Sequence, residues 1–407
     1  MKILIYEHLS GGGLAAEEAA VSQLSEGFAL LSTLAEDFQK LKQDVYATLD
    51  YRIANYTPPI EAKIATILRP QNDFLEVFKF NLAEVEGVVI AAPESRSCLL
   101  NLTKAAEESD KVIFGSSSEA IRLTSDKRKT FKVASDLNLP VPEAKFVSSS
   151  LEIGEIGAIA EETGFPLIFK PLDGADCRGI TIVRDKSRIP SAIDNLKRES
   201  TLEDFMIYPY VKGTAASVSL IVNEDGAFPV GLSAQELSLS AEGSLKCESG
   251  YVPLKHSLKE EALEHAKQMA QEVKGLGGLV DIDFVLSERK EPIFMEINAR
   301  ITKSYLGIRR AVAGNLAEMI FDAVVSRKLP EEVSLLNTAF FSKIPLRITK
   351  MSIARVKGLA VLPGIVGPPF PFKGNPTTAV VVSEGEDLTE AKEKLDFRKK
   401  ALQEMSD

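Results

Sequence analysis

The sequence predicts a protein of mixed α/β and α+β class, with a doubly wound α/β domain first and a small β-rich appendage last. Three observations predict this. Short apolar runs alternate with helix-compatible segments through the first 120 residues, as in a parallel sheet covered by helices. Strands and helices then follow in α+β order to about residue 330. Beyond that point, apolar strands flank a block rich in proline and glycine at residues 362–371.

The first domain, residues 1–120, is predicted to hold five strands. Each is a short apolar run, and the runs are separated by segments that are compatible with helix. Residues 10–13, Ser-Gly-Gly-Gly, predict a turn, and residues 14–41 have helical apolar spacing. The predicted strands are residues 2–6, 45–49, 64–68, 87–91 and 112–114.

The middle of the chain is predicted to form two subdomains, residues 121–212 and residues 213–330. A helix is expected to start near Asp126 and to stop before Pro140, because proline disfavours helix in the residue before it. Further helices are predicted at residues 151–163, 258–274 and 309–325. Strands are predicted at residues 166–170, 179–183, 215–221, 229–236 and 245–252, and two acidic strands follow. The appendage, residues 331–407, should hold strands at 340–348 and 379–382 and a final helix from residue 388.

Composition narrows the class of protein. With 407 residues, of which 45% are apolar and 26% charged, the whole chain is expected to be globular. A net charge of −10 argues against a general nucleic-acid or anionic-membrane binder, because those surfaces attract basic proteins. Cys98, Cys177 and Cys247 are widely spaced, which favours reduced thiols. We see no signal peptide and no apolar stretch of about 20 residues, and therefore expect a cytoplasmic protein.

Two acidic strands near residue 290 are the most informative part of the chain. Side chains alternate faces along a strand, so Glu296, Asn298 and Arg300 should share one face, with Asp283 on the adjacent strand beside them. Two carboxylates about 4 Å apart repel by roughly 4 kcal/mol at an effective dielectric near 20. A divalent cation such as Mg²⁺ would turn that repulsion into binding. The alternative is that both strands present an ordinary solvated face.

Two lysines precede the acidic strands. Lys127 lies at the predicted start of a helix, and Lys170 ends a buried strand. The loop after Lys170 contains Gly174 and Gly179, which let backbone N–H groups approach phosphates, and Arg178, which adds positive charge there. The alternative is that the lysines are solvated ends and the loop is an ordinary turn, because it lacks the Walker spacing.

The order of these features resembles the ATP-grasp superfamily. A lysine at a helix start, a lysine before a glycine loop, the segment Tyr-Pro-Tyr-Val-Lys-Gly at residues 208–213 and the acidic pair follow one another across residues 120–326. The resemblance implies two sheets that close on ATP, with Mg²⁺ or Mn²⁺ as a second cofactor. It also implies that Arg300 steadies the acyl phosphate or the transferred phosphoryl group. The implied roles are phosphate contacts for Lys127 and Lys170, adenine contacts for the backbone of Tyr210 and Val211, metal ligands in Asp283, Glu296 and Asn298, and catalysis by Arg300 and Lys170.

The hinge departs from the superfamily pattern. Many members have acids around the hinge, one of which holds the ribose, whereas Tyr208 and Ala215 stand there in this chain, so ribose recognition is unassigned. Within the superfamily, residues 3–13, 169–177 and 216–220 look like the tyramine–glutamate ligases of methanofuran biosynthesis. The block after residue 331 exceeds the length expected for that group, which leaves a different substrate open.

Candidate substrate residues lie in two places. Glu7 and His8 end the first strand, where ligands of parallel sheets gather, and Gly12 follows in the glycine turn. Gln235 begins a polar stretch that could cover an acceptor, and Arg300 is expected beside the substrate carboxylate. The alternatives are that His8 is a structural histidine, that the glycines form a plain turn, and that the stretch from Gln235 is an exposed hairpin.

The predicted function is an ATP-dependent ligase that activates a carboxylate as an acyl phosphate and joins it to an amine, releasing ADP and phosphate. Glutamate and an aromatic or other small amine are the favoured substrates, with tyramine implied by the resemblance. The alternatives are another amino-acid or peptide ligase and a regulatory ATP-binding protein without turnover. We expect small-molecule partners, namely an amine and an amino-acid carboxylate, no nucleic acid and no membrane. A homodimer is left open.

Overall fold

A computed structural model of the protein describes residues 1–17, 21–174, 177–200, 202–346, 352–371 and 377–404. The N-terminal part contains the five strands that the sequence predicts: β1 (Lys2–Glu7), β2 (Asp44–Asp50), β3 (Lys63–Leu68), β4 (Gly87–Ala91) and β5 (Val112–Ile113). They form one parallel sheet in the order β3-β2-β1-β4-β5. The carboxyl ends of β1 and β4 therefore lie next to each other.

Five helices accompany this sheet: α1 (Val21–Lys40), α2 (Tyr51–Ala54), α3 (Phe74–Ala83), α4 (Cys98–Glu108) and α5 (Ser118–Thr124). Helix α1 starts later than the predicted residue 14, because residues 8–16 fold as consecutive turns around the glycines. Its buried face carries Leu24, Phe28, Leu31 and Phe38 at helical spacing. In the described ranges, no helix is long and apolar enough to cross a membrane.

A second, four-stranded sheet is antiparallel throughout. It contains β6 (Lys145–Ser148), β7 (Leu167–Pro171), β8 (Thr181–Val183) and β9 (Asp204–Pro209), in the order β6-β9-β7-β8. The accompanying helices are α6 (Lys127–Asp136), α7 (Ile153–Thr163) and α8 (Ile189–Glu199). The Asp126 side chain caps α6 by accepting a hydrogen bond from the backbone of Arg128. The cap makes Lys127 the first helical residue, as the sequence predicts.

The third sheet has eight antiparallel strands and runs in the order β14-β13-β10-β11-β12-β15-β17-β16. Five strands precede residue 300: β10 (Gly213–Asn223), β11 (Gly226–Leu239), β12 (Leu245–Val252), β13 (Gly278–Ser287) and β14 (Pro292–Asn298). Three follow it: β15 (Thr338–Leu346), β16 (Ile365–Gly367) and β17 (Thr377–Gly385). Helix α9 (Lys259–Glu272) packs on β10 and β11.

The single helix predicted over residues 309–325 is wrong. The structure has α10 (Ser304–Ala311), α11 (Leu316–Phe321) and a π-helical turn at Asp322–Ser326. Gly314 has a φ of 92°, a left-handed conformation that ends regular helix. The Asn315 side chain then caps α11 by accepting a hydrogen bond from the backbone N–H of Ala317.

The C-terminal strands continue the large sheet, because β15 pairs with β12. Two helices complete this part, α12 (Ile353–Ala360), which the sequence did not predict, and α13 (Leu388–Glu404), which it did. Residues 347 and 348 of the predicted strand lie outside the described residues. This part also contacts α1, where Ser25 Oγ donates to the carbonyl of Pro368 at 2.9 Å.

Helix α1 is also tied to α10 by a buried ion pair. Arg309 Nε and Nη2 donate to the two oxygens of Asp37, each at 2.6 Å, and Tyr305 Oη donates to Asp37 at 2.8 Å. The side chains of Arg309 and Asp37 are 5% and 6% exposed. Bidentate pairs of this kind fix orientation as well as distance. The N-terminal sheet is thereby held against the large sheet, and the elements described next meet between them.

Candidate active site

The two acidic strands form the predicted pair. In the antiparallel register of β13 and β14, Asp283 lies directly opposite Glu296, and Asp281 lies opposite Asn298. Asn298 Nδ2 donates to Asp283 Oδ2 at 3.1 Å. The structure therefore brings the three candidate metal ligands together on one face. Their role as ligands stays a prediction.

Both predicted lysines converge on Glu296. Its Oε2 is 2.9 Å from Lys170 Nζ and 3.3 Å from Lys127 Nζ. Lys170 comes from β7 and Lys127 from the first turn of α6, so three separate elements supply the cluster. Lys127 Nζ also donates to the carbonyls of Leu172 and Gly174, at 3.2 and 3.0 Å. Lys127 therefore holds the loop after Lys170 through its carbonyls, and the binding of phosphate by that loop stays a prediction.

The three charged side chains change one another's proton affinity. Burial alone would raise the pKa of Glu296, but Lys170 and Lys127 outweigh it and lower that pKa to about 2. Burial would lower the pKa of Lys170, but Glu296 raises it above its usual value. For Lys127, burial prevails and its pKa is lowered. Glu296 is therefore a fixed negative charge between two lysines that are each only 6% exposed.

Asp283 lacks such a cation partner among the contacts described. Its two oxygens accept from carboxamides instead, Oδ1 from Gln235 Nε2 and Oδ2 from Asn298 Nδ2, both at 3.1 Å. Burial, and then repulsion from Glu296, raise the pKa of Asp283 to about 7. Two facing carboxylates and a carboxamide oxygen match the hard-oxygen donors that Mg²⁺ prefers. Because this donor set favours a divalent cation, these residues fit Mg²⁺. Gln235, predicted near the substrate, lies against Asp283.

A buried carboxylate fixes the segment after Arg300. Asp281 is fully buried and accepts hydrogen bonds from the hydroxyls of Ser219, Thr302 and Ser304, the last at 2.6 Å. Burial raises its pKa above the usual range, and the three hydroxyls oppose that rise. Thr302 and Ser304 lie two and four residues after Arg300. This network therefore fixes the backbone that carries Arg300 beyond the end of β14.

Arg300 forms an ion pair that sequence patterns did not predict. Its Nε donates to Glu94 Oε2 at 2.8 Å, and the two side chains are 10% and 9% exposed. Nη1 also donates to the carbonyl of Ile301 at 3.4 Å. Glu94 follows β4 of the N-terminal sheet, whereas Arg300 follows β14 of the large sheet. The pair therefore joins the two sheets at the site.

The hinge residues stand where the resemblance places them, between β9 and β10. The backbone N–H of Tyr210 donates to the carbonyl of Pro166 at 2.9 Å, and the side chain is 40% exposed. Val211 packs against the main core. Tyr208, at the position of a ribose-binding acid, is 5% exposed and burial raises its pKa. The binding of adenine by Tyr210 and Val211 stays a prediction.

A cavity of about 490 Å³ lies beside the site, between the N-terminal sheet and the other two. Its wall combines acidic, basic and apolar side chains from the end of β1, α1, the loop after β4, α8 and the segment after β14. A smaller cavity of about 60 Å³ contains Asp283, Glu296 and Asn298. Arg300 and Lys303 line both cavities, so the two meet at those residues. Arg178, predicted to contact phosphates, lines the large cavity, 4.0 Å from Glu199.

The residues predicted to contact substrate at the end of β1 are partly structural. Glu7 lines the large cavity, but its carboxylate accepts hydrogen bonds from the backbone of Leu9 and from the backbone and hydroxyl of Ser10. Burial raises the pKa of Glu7 to about 7. His8 also lines the cavity, and burial lowers its pKa to about 4, so its ring is neutral at physiological pH. Gly12 has a φ of 97° and serves the turn, while the next residue, Gly13, lines the cavity.

Sequence reasoning missed four charged residues around Arg300: Glu94, Glu26, Lys303 and Lys343. Glu26 of α1 is 2.6 Å from Lys343 of β15 and 3.7 Å from Lys303. Residues from four distant parts of the chain meet here, and no local spacing connects them. Lys303 alone had a usable signal, because it lies three residues beyond Arg300 on the segment that Asp281 fixes.

Comparison with known proteins shows the family to which this chain belongs. Residues 124–304 match the family of the ATP-grasp domain, and residues 43–121 match the pre-ATP-grasp domain. The chain belongs to the ATP-grasp superfamily. The two matches adjoin each other, and the first ends at the segment after Arg300, so the matched region contains both lysines, the two acidic strands and Arg300. The fold and superfamily predicted from the sequence are therefore confirmed.

The curated relatives include two tyramine–L-glutamate ligases. The protein from Methanocaldococcus fervens is 28% identical over 264 residues, which are 64% of this chain and 72% of that one. The protein from Methanocaldococcus jannaschii is 24% identical over 336 residues, 81% of this chain and 92% of that one. In fold, the chain is similar to a biotin carboxylase–β,γ-ATP complex from Campylobacter jejuni, with a TM-score of 0.72, 17% identity and coverage of 97% and 89%. This ATP-grasp protein is an enzyme of the carboxylate–amine ligase class.

Proposed function

We propose that this ATP-grasp enzyme activates the carboxylate of glutamate, or of a similar amino acid, and joins it to an aromatic or other small amine such as tyramine. The observation that carries the proposal is the position of Arg300. It lines both the small cavity with the carboxylate pair and the large mixed cavity, so one side chain serves phosphoryl transfer and substrate binding. Two relatives named as tyramine–L-glutamate ligases support this choice of substrates.

Phosphate binding falls to the lysine pair. Lys127 and Lys170 converge from two elements on one carboxylate oxygen, at 3.3 and 2.9 Å, which brings two positive charges together. Asp283, Glu296 and Asn298 would hold Mg²⁺, which supplies charge neutralisation during phosphoryl transfer. Glu296 then shares its negative charge between the lysines and the cation. Catalysis of this kind consists of positioning and electrostatics.

The reaction has two steps. The substrate carboxylate, held at Arg300, attacks the γ-phosphorus of ATP, the bond to the bridging oxygen breaks, and ADP leaves. The amine nitrogen then attacks the acyl carbon, the carbon–oxygen bond to phosphate breaks, and an amide and phosphate form with release of a proton. The chain needs no nucleophile of its own. Cys177, which lines the small cavity, stays a thiol because burial raises its pKa.

The large cavity suits a substrate that is both charged and aromatic. Arg300 and Arg178 line it with positive charge, and Glu17 and Glu26 with negative charge. At the end of β1, the rings of His8 and Phe74 face each other edge-on, 5.0 Å apart, and form an apolar wall. Its volume of about 490 Å³ lies within the usual range for small-molecule sites.

ADP release tests the proposed function. The purified enzyme is incubated with ATP, Mg²⁺ and a matrix of amino acids and amines, and ADP and the amide are both quantified by chromatography. Release that needs glutamate and tyramine together supports the proposal. If ADP is released only with a different pair, that pair is the substrate instead. If no pair of amino acid and amine stimulates ADP release, the enzyme does not ligate small carboxylates and amines.

A further inference from the structure

Glu94 is a buried carboxylate that none of the roles described above uses. It lies at the carboxyl end of β4, next to the end of β1, at the edge of a parallel sheet where ligands gather. Its neighbours Pro93 and Ser95 line the large cavity, and so does its partner Arg300. Glu94 itself does not line the cavity, and therefore lies directly behind its wall, against Arg300.

The two oxygens of Glu94 are in different situations. Oε2 is fixed by Arg300 Nε at 2.8 Å. Oε1 is shielded from solvent and has no hydrogen-bond partner within the part of the chain that the structure describes. A buried polar atom left without a partner is unfavourable, and more so if it is charged. A ligand that donates a hydrogen bond to Oε1 would recover that free energy.

The chemistry of the group selects the ligand. An ionised carboxylate only accepts hydrogen bonds, so Oε1 repels carboxylates and phosphates and attracts a donor of positive charge. A protonated primary amine has three such donors. Because Arg300 holds Glu94 at 2.8 Å and is also the proposed contact of the activated carboxylate, an ammonium group on Glu94 would lie beside the acyl carbon.

We propose that Glu94 is the binding site for the ammonium group of the amine substrate, and that entry of the amine draws Oε1 towards the large cavity. This rests on the proposed function for the identity of the reaction, but not for the binding of the amine. Glu94 then holds the amine and Arg300 holds the carboxylate. This single ion pair therefore orients the two substrates relative to each other.

The test separates amine binding from activation of the carboxylate. Wild type, Glu94→Gln and Glu94→Asp are assayed with ATP, glutamate and either tyramine or hydroxylamine, which is mostly uncharged at neutral pH and needs no ammonium site. Loss of one hydrogen bond to a charged group should raise the KM for tyramine by about 10- to 100-fold in Glu94→Gln. Loss of the charge beside Arg300 can also alter the KM for glutamate and the yield of hydroxamate, but by much less than it raises the KM for tyramine. Glu94→Asp, which keeps the charge, should recover much of the affinity. Glu84→Gln, an exposed change on the same domain, is the matched control.

Three results would overturn the proposal. Equal losses with tyramine and hydroxylamine would mean that Glu94 acts only by positioning Arg300. A lower KM for glutamate would mean that Glu94 merely competes for Arg300, and an unchanged KM for tyramine would mean no role. If wild type forms neither amide nor hydroxamate, the proposed function fails, and calorimetric titration of wild type and Glu94→Gln with tyramine alone decides the site. Weaker binding to the variant supports it, and equal or absent binding to both overturns it.

Discussion

Removal of the charge of Glu296 is the change with the largest expected effect on both stability and turnover. Glu296→Gln keeps the size of the side chain and removes its charge. In the ligand-free protein it leaves Lys127 and Lys170, each 6% exposed, facing a neutral amide. At 2.9 and 3.3 Å, and at an effective dielectric of about 20, each ion pair is worth roughly 5–6 kcal/mol before desolvation is subtracted.

The net loss is smaller, because desolvation opposes these attractions. Breaking a buried ion pair costs about 3–5 kcal/mol. Lys127 keeps two carbonyl acceptors, and the new amide oxygen can still accept a hydrogen bond, so we expect the free energy of unfolding to fall by about 2–4 kcal/mol. Urea denaturation followed by circular dichroism measures this loss. ATP without Mg²⁺ should stabilise the variant at least as much as wild type, since phosphate oxygens replace the lost carboxylate.

Turnover should be abolished in the same variant, because the cation loses a ligand and the lysines lose the group that positions them. Glu291→Gln, an exposed change in the turn between β13 and β14, is the control and should behave as wild type. If Glu296→Gln were as stable as the control, the lysines would not depend on that carboxylate. If it released ADP at the wild-type rate, the metal and phosphate assignments would both be wrong.

Three further changes test other parts of the structure. Arg309→Met breaks the buried bidentate pair to α1 and should lower the free energy of unfolding by about 3–5 kcal/mol in urea denaturation. The control, Arg310→Met at a half-exposed position, should cost less than about 1 kcal/mol. Similar losses in both variants would mean that the pair of Arg309 with Asp37 does not hold α1 to α10. Burial raises the pKa of Glu7 from 4.5 to about 7, so the folded state binds this proton more tightly than the unfolded state, and stability falls as pH rises between those values. Glu7→Gln should remove up to about 3 kcal/mol of that fall between about pH 5 and pH 8, and an unchanged pH profile would refute it. Lys127→Met should raise the KM for ATP at least tenfold, whereas the exposed Lys129→Met should leave it unchanged; equal KM values would remove Lys127 from the phosphate site.

The sequence predicted those parts of the site that depend on local geometry. Alternation along a strand places Glu296 and Asn298 on one face, and a hairpin between neighbouring strands brings Asp283 opposite Glu296. Lys127 and Lys170 were recognised because each occupies a defined end of an element, a capped helix start and a strand end. These relations are local, so one sequence is enough to show them.

The remainder depends on how distant elements pack. Glu94 reaches Arg300 only because β4 and β14 end at the same place, and Glu26 reaches Lys343 only because β15 joins the large sheet beside α1. The break before α11 was missed because the apolar spacing continues through it, while Gly314 adopts a left-handed conformation. Gly12 and Glu7 differ from these cases, because both serve the local turn after β1, and their contact with substrate stays a prediction.

The pairing of β15 with β12 has a practical consequence for protein production. A chain truncated near residue 330 would expose the edge of β12 at residues 249–252, and unpaired backbone groups of this kind recruit other strands into aggregates. It would also uncover the flank of α1, where Gly367 lies so close to the carbonyl oxygen of Ser25 that a Cβ at that position would clash with it. The family match ends at residue 304, whereas the strands that continue the large sheet reach Gly385. A fragment that stops near residue 330 is therefore expected to aggregate, and a soluble fragment should keep β15, β16 and β17.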